Sequence, residues 1–218
     1  MSEQPLLPPE FRTGPLPRGR HKLDREVVLA SQRGRLLSAF VRLAAERGYD
    51  AVTIIDIVSL AATSKRTFYE HFSDKEDCLL HAFDTLRNVS FSAVIAEAGP
   101  IEDPIDRIRV GVRAYIDSLF ELPEFTKLFL NESMSAGPAL ADRWIEATDL
   151  MAQTIHDWRD ESRREHPEMP PLSIVRARIV LFGLNESICV IVHREGVEAV
   201  AEHADELVDE AIALLTAP

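Results

Sequence analysis

Three helix starts fall between Thr53 and Glu76, and they leave this stretch little choice but two short helices joined by a tight turn. The segment is TIIDIVSLAATSKRTFYEHFSDKE. Thr53 followed three residues later by Asp56 has the form of a capping box, in which a hydroxyl and a carboxylate satisfy each other's backbone N–H groups. Ser64 can cap the next helix. Ser73-x-x-Glu76 repeats the box pattern and opens a third helix, long enough to run to about Ala98. Ile54, Ile57 and Val58 supply the apolar face of the first short helix, and Phe68 and Phe72 that of the second. What remains on the second is Ser64, Lys65, Arg66, Thr67, Tyr69 and His71. So many hydrogen-bond donors on about two turns suit the major groove of DNA, where helix-borne side chains reach base edges and flanking ones hold phosphates.

The net charge of −12 is the wrong sign for a partner of DNA until it is divided along the chain. Phe11 to Ser73 holds 11 Lys/Arg against 6 Asp/Glu, and the remainder holds 13 against 30. Phosphate attraction acts within a Debye length of roughly 8–10 Å, so the local surplus is the relevant quantity. The basic segment contains the helix pair. The acidic remainder is repelled by a polyanion, which orients the chain on it.

From Asp24 onward almost everything outside this segment reads as helix, with no alternating strand signal. Met1 to Pro17 carries five prolines and then the basic run Arg18-Gly19-Arg20-His21-Lys22. Such an arm can enter the minor groove through Arg18 and Arg20, or add only general phosphate attraction. Leu36, Leu37, Phe40, Val41, Leu43 and Ala44 form an apolar face that Gly48 ends. Asp103-Pro104 supplies an N-cap and a first-turn proline. Ile105, Ile108, Val112, Tyr115, Ile116 and Leu119 continue as a helical stripe. A short helix follows Pro123, and another follows Gly137-Pro138 with Trp144, Thr148, Met151, Ala152 and Ile155 on one side. The last two helices run about Leu172 to Arg194 and Glu198 to Leu215. The expectation is an all-α protein of about nine helices. It divides into a flexible basic arm (1–23), a three-helix helix-turn-helix head (24–72) and a larger helical body (73–218).

Residues Arg35 to Leu80 resemble the N-terminal DNA-binding domain of TetR-family transcriptional regulators. The likeness is carried by Gly48-Tyr49, Thr53, Ile57, Ala61, Ser64, Thr67-Phe68-Tyr69, His71-Phe72 and Lys75-Glu76. Where the family usually has Gly-Val in the turn, this chain has Ala62-Thr63. The resemblance implies a cytoplasmic homodimer that places two recognition helices in successive major grooves of operator DNA. Its last two helices form the interface, and a small-molecule effector binding the body releases the repressor. It also assigns Thr53, Tyr69 and Lys75 to phosphates, and Ser64, Lys65, Arg66, Thr67 and His71 to base contacts. Arginine and lysine match the acceptors of guanine, and a threonine methyl can meet thymine. From the residues themselves Tyr69 can also be core, and His71 can serve packing instead.

The body gives less away. Candidates for a ligand pocket are Tyr115, Phe125, Phe129, Trp144, Met151 and Phe182, with Asn185 and Glu186 as polar partners. Each also fits ordinary core or interface. No GxSxG, HExxH, Walker or dinucleotide motif is present, so neither catalysis nor a cofactor is expected. No apolar run is long enough for a membrane span and no secretory signal opens the chain. Cys78/His81 and Cys189/His193 sit at helical spacing, and a metal- or redox-responsive DNA-binding sensor is the alternative. Two ligands are fewer than a zinc site usually needs, so no metal is expected.

Overall fold

The computed structural model describes residues 25–132, 136–165, 167 and 169–217. Among them there are nine α-helices and no strand. They are α1 (Arg25–Arg47), α2 (Ile54–Leu60), α3 (Lys65–His71), α4 (Lys75–Ala98), α5 (Pro104–Glu121), α6 (Pro123–Glu132), α7 (Pro138–Glu165), α8 (Ile174–Glu195) and α9 (Val200–Thr216). The chain divides into two compact units, one ending at Thr85 and the other beginning at Leu86. The basic arm with Arg18 and Arg20 lies outside the described residues.

In the first unit α1 packs on α2 and α3, which pack on each other. Leu36, Leu37 and Phe40 of α1, Ile57 of α2, Phe68 and Phe72 are all buried there. These are the apolar positions left once the caps fix the helix starts. The second unit is built on α5 against α9, α7 against α8, and α8 against α9. Its core draws on Ile108, Ile116, Ala152, Ala177, Ile188, Ala204 and Leu215, at three- and four-residue spacings that place one face of each helix inward.

Helix ends follow short-range chemistry. The Asp103 side chain accepts from the Ile105 and Asp106 N–H groups at 2.9 Å each, with Pro104 in the first turn. The Ser173 hydroxyl accepts from Arg176 N–H at 3.1 Å. Gly196 ends α8 at φ +97°, a backbone that an L side chain rarely adopts. One expected cap is displaced. At the start of α4 the Asp74 carboxylate, not Ser73, accepts from the Asp77 N–H at 2.8 Å. Asp77 in turn accepts from the Ser73 N–H at 2.8 Å. A carboxylate one residue closer to the helix competes with the Ser73 hydroxyl for the first free N–H groups, and the cap moves by one residue.

Candidate nucleic-acid interface

The α2–α3 pair is fixed by three local devices. Thr53 and Asp56 form the full reciprocal box, with Thr53 N–H donating to the Asp56 carboxylate at 3.0 Å and Asp56 N–H to the Thr53 hydroxyl at 3.3 Å. Those Thr53 bonds hold the Asp56 carboxyl below its ordinary pKa. The Ser64 hydroxyl accepts from Thr67 N–H at 3.1 Å and meets the Thr67 hydroxyl at 3.0 Å. Between them the chain turns through Ala62 at φ +50°. Thr63 N–H donates to Val58 O at 2.9 Å and Ala62 N–H to Ser59 O at 3.3 Å, the paired bonds of a Schellman turn. Alanine thus stands in the left-handed position that glycine usually fills, at a cost of roughly 1 kcal/mol. Arg35 of α1 donates to Ala61 O at 3.2 Å and holds the strained turn from behind.

This turn and its caps give α3 two faces. Phe68 is fully buried, its ring centroid 5.5 Å from that of Phe72. Ser64, Lys65, Arg66 and Tyr69 are exposed on the other side, and Thr67 is half-buried. Tyr69 is 57% exposed, with its ring edge against Phe68, so it is not core. Arg66 pairs with Glu70 at 3.0 Å. Both side chains are exposed, so the pair is weak and open to exchange for a stronger partner.

Two of the anticipated positions are more occupied than the sequence suggests. Lys75 donates to Tyr49 O at 2.9 Å, with its Nζ 4.1 Å above the Tyr49 ring. An ammonium has three N–H donors, so one bond to Tyr49 leaves others for a phosphate at the start of α4. His71 is half-buried, and its Nε2 is sealed from solvent without a hydrogen-bond partner among the described residues. Burial first, and the Arg33 charge second, hold its pKa below the ordinary value. The buried edge of His71 therefore belongs to the packing of the head.

In the second unit a small cavity lies between α4, α5, α7 and α8. Val94, Ile108, Gly111, Val112, Tyr115, Met151, Ile155, Trp158, Leu181 and Leu184 line it. Its free volume is about 10 Å³, room for no more than a water molecule. Tyr115 and Met151 are thus on the wall, and the Tyr115 hydroxyl donates to the Asn185 side-chain oxygen. Phe125, Phe129, Trp144, Phe182 and Glu186 are not among the lining residues. Phe125 and Phe129 are buried on α6, Phe182 and Glu186 are exposed on α8, and Trp144 is half-buried on α7. Only Tyr115 and Met151 of the ten wall residues were pocket candidates, and Trp158 is the largest of those missed. Its signal was available, since Met151, Ile155 and Trp158 recur at i, i+4 and i+7. Gly111 was also missed. A Cβ there would come within 3.2 Å of the Trp158 ring, so glycine lets α5 and α7 close on this point.

The metal or redox alternative finds no support. Among the described residues no three His, Cys, Asp or Glu side chains are grouped to hold an ion. Cys78 is fully buried, and burial pushes its thiol well above the ordinary value, away from the reactive thiolate. Cys189 faces Leu130 O at 3.5 Å, and its thiol too is pushed up by burial.

A capped helix-turn-helix whose second helix presents basic and hydroxyl side chains, joined to an all-helical body, defines a DNA-binding regulator. Residues 36–82 match the family model of the bacterial regulatory proteins of the tetR family. Curated relatives extend the likeness beyond the head. The HTH-type transcriptional activator FasR of Mycolicibacterium smegmatis is 25% identical over 170 residues, covering 77% of this chain and 74% of that one. The HTH-type transcriptional repressor AcnR of Corynebacterium diphtheriae is 30% identical over 127 residues, covering 58% of this chain and 63% of that one. A crystal structure of the regulator FadR from Bacillus subtilis, in complex with stearoyl-CoA, superposes with a TM-score of 0.70 at 14% identity, covering 84% of this chain and 98% of that one. At that identity the likeness is one of fold.

Proposed function

We propose that this regulator is a homodimeric repressor that reads an operator through α3 and is released by a small molecule held in its helical body. The observation that carries the DNA-reading part is the exposed face of α3, where Lys65, Arg66 and Tyr69 stand out from a helix fixed by the Ser64 cap. Ser64, Lys65, Arg66 and Thr67 face bases. Thr53, Tyr69 and Lys75 hold phosphates at the groove edge. His71, with one edge sealed in the head, supports the helix from within.

The dimer reading rests on α8. Val175, Ile179, Phe182 and Val190 are exposed at helical spacing, with Ile179 at 66% and Leu214 of α9 at 54%. A Cβ on Gly183 would meet nothing within 4 Å, so this face is open to a second copy. An apolar stripe of this kind marks an interface, and a two-fold dimer sets two heads on half-sites about 34–36 Å apart. The nearly filled cavity fits release by a ligand. A molecule of ordinary effector size must part the cavity walls to enter, so it binds one conformation of the body better than another and shifts the population toward it.

TetR-family regulators are generally repressors, which favours repression here, although the name of FasR supplies the opposite sign as a second reading. No helix among the described residues is long and apolar enough to cross a membrane.

The test is fluorescence anisotropy with the DNA upstream of the protein's own gene and a scrambled control, at two salt concentrations. Preference for the native fragment that persists at the higher salt is expected. Binding that is equal on both fragments and falls steeply with salt, followed by failure to enrich any site from random DNA, would remove the operator-reading role.

A further inference from the structure

Arg159 is the largest fully buried side chain among the described residues, at 1% exposure. It lies on α7 one turn beyond Ile155 and directly after Trp158, both of which line the body cavity. Its Nη2 approaches Pro170 O at 3.4 Å, longer than a well-formed hydrogen bond. Its Nε and Nη1 meet no acceptor among the described residues. The charge that acts on it is another cation, Arg163, which itself donates to Met169 O at 3.1 Å. Burial and Arg163 together push its pKa down, yet a guanidinium remains charged at any ordinary pH.

A core gains nothing from such a group. An apolar side chain of similar volume would leave the fold equally or more stable, and a buried charge without a counter-charge is among the costliest features a protein can carry. The same guanidinium becomes favourable once a carboxylate or phosphate oxygen meets its free N–H groups, since charge-assisted bonds strengthen in a low-dielectric site. Arg159 is not itself among the residues that line the cavity; it lies one turn beyond the wall residue Ile155, and the cavity's other apolar walls come from Ile108, Leu181 and Leu184.

We propose that Arg159 is the anion anchor of the body cavity, and that its ligand joins an apolar portion to a carboxylate or phosphate group. This rests on the reading of the body as an effector-binding unit and names the class of effector. The apolar walls take the hydrocarbon part, and Arg159 selects for the acidic end. A neutral molecule of the same shape gains the walls but not the anchor.

The chain has two tryptophans, so Trp144→Phe leaves Trp158, on the cavity wall, as the sole fluorescence reporter. Decanoate, decyl phosphate and decanol are titrated into this full-length protein, and DNA release is followed in parallel by anisotropy. At least one acid is expected to bind tenfold or more tightly than the alcohol, and which acid does so separates a carboxylate from a phosphate ligand. Arg159→Gln should bring that ratio to within about twofold and leave decanol binding unchanged, while Arg159→Lys retains part of the preference. Arg159→Met removes the charge with little loss of volume, should melt no earlier than the parent, and serves if the Gln variant does not fold. Acid preference that survives in a folded Gln or Met variant overturns the proposal. Equal binding of acid and alcohol that still releases DNA overturns the anchor while leaving the effector reading intact, and absence of binding by all three probes overturns both.

Discussion

The caps and ion pair that shape the α2–α3 head join residues three or four apart: Thr53 with Asp56, Ser64 with Thr67, and Arg66 with Glu70. The polar contacts that organise the body span far more chain. Tyr115 meets Asn185 across 70 residues, Arg113 meets Asp205 across 92, and Arg109 meets Asp209 across 100. A surface built from neighbours in sequence keeps its shape wherever the local motif recurs, which fits a family model that matches residues 36–82 alone. A body built from distant pairs can change its cavity by altering one partner. The shape of the head is therefore set locally, and that of the body by long-range packing.

The contrast is strongest if the two units can be lost separately. Phe68 is fully buried and joins α3 to the core of the head. Phe68→Ala should cost about 3–5 kcal/mol, abolish DNA binding, and leave the second unit's helices in place. Far-UV circular dichroism during denaturation would then show an early transition for the head and a later one for the body. A single transition that moves as a whole would mean that the two units unfold as one. Arg66→Ala tests the exposed side of the same helix. It should cost roughly 1–3 kcal/mol on the best site and relax preference at one base position. An equal loss on every DNA sequence would place Arg66 on phosphates instead.

Legibility in the sequence follows the same division. The Thr53–Asp56 box, the Ser64 cap, the Asp103-Pro104 start and the inward faces of the helices could all be read, because each depends on residues within a turn or two. The start of α4 was displaced by one residue because Ser73 and Asp74 are both capable caps and only geometry decides between them. The walls of the small cavity depend on contacts between residues distant in sequence. Phe125, Phe129, Phe182 and Glu186 fit a list of ligand-lining types, but which helix face meets the cavity depends on how α5, α7 and α8 pack. Arg159 gave no warning at all, since an arginine near the end of a helix ordinarily lies in water.

Ala62 sharpens the comparison from inside the head, where a local rule is broken. Its φ of +50° lies in the left-handed region, and the Schellman bonds from Ala62 and Thr63 hold it there. Ala62→Gly relieves the clash of the Cβ with the backbone but adds conformational freedom to the unfolded chain. The first effect is the larger at positive φ, so the variant should be more stable by about 0.5–1 kcal/mol. The denaturation midpoint should rise with no change in slope. A lower midpoint would show that Arg35, through its bond to Ala61 O, already holds the turn so firmly that alanine's smaller loss of chain entropy prevails.

The smallest expected effect concerns His71, the one recognition-helix donor whose behaviour is set from a distance. Burial and the charge of Arg33, on another helix, hold its pKa below the ordinary value of about 6.5. Above that pH the ring is neutral in both folded and unfolded chains, and its contribution to stability is fully present. As pH falls below about 6.5 the unfolded chain takes up a proton that the folded head resists, so stability declines until the folded ring's own lower pKa is passed. His71→Gln should remove this component. The difference between wild type and variant, followed by denaturation from pH 7.5 to pH 5, should shift against the wild type as pH falls. A difference independent of pH would mean that the ring opens to solvent in the native head and is free to meet DNA, and the division between a locally built recognition surface and a body of distant partners would then extend to all of α3.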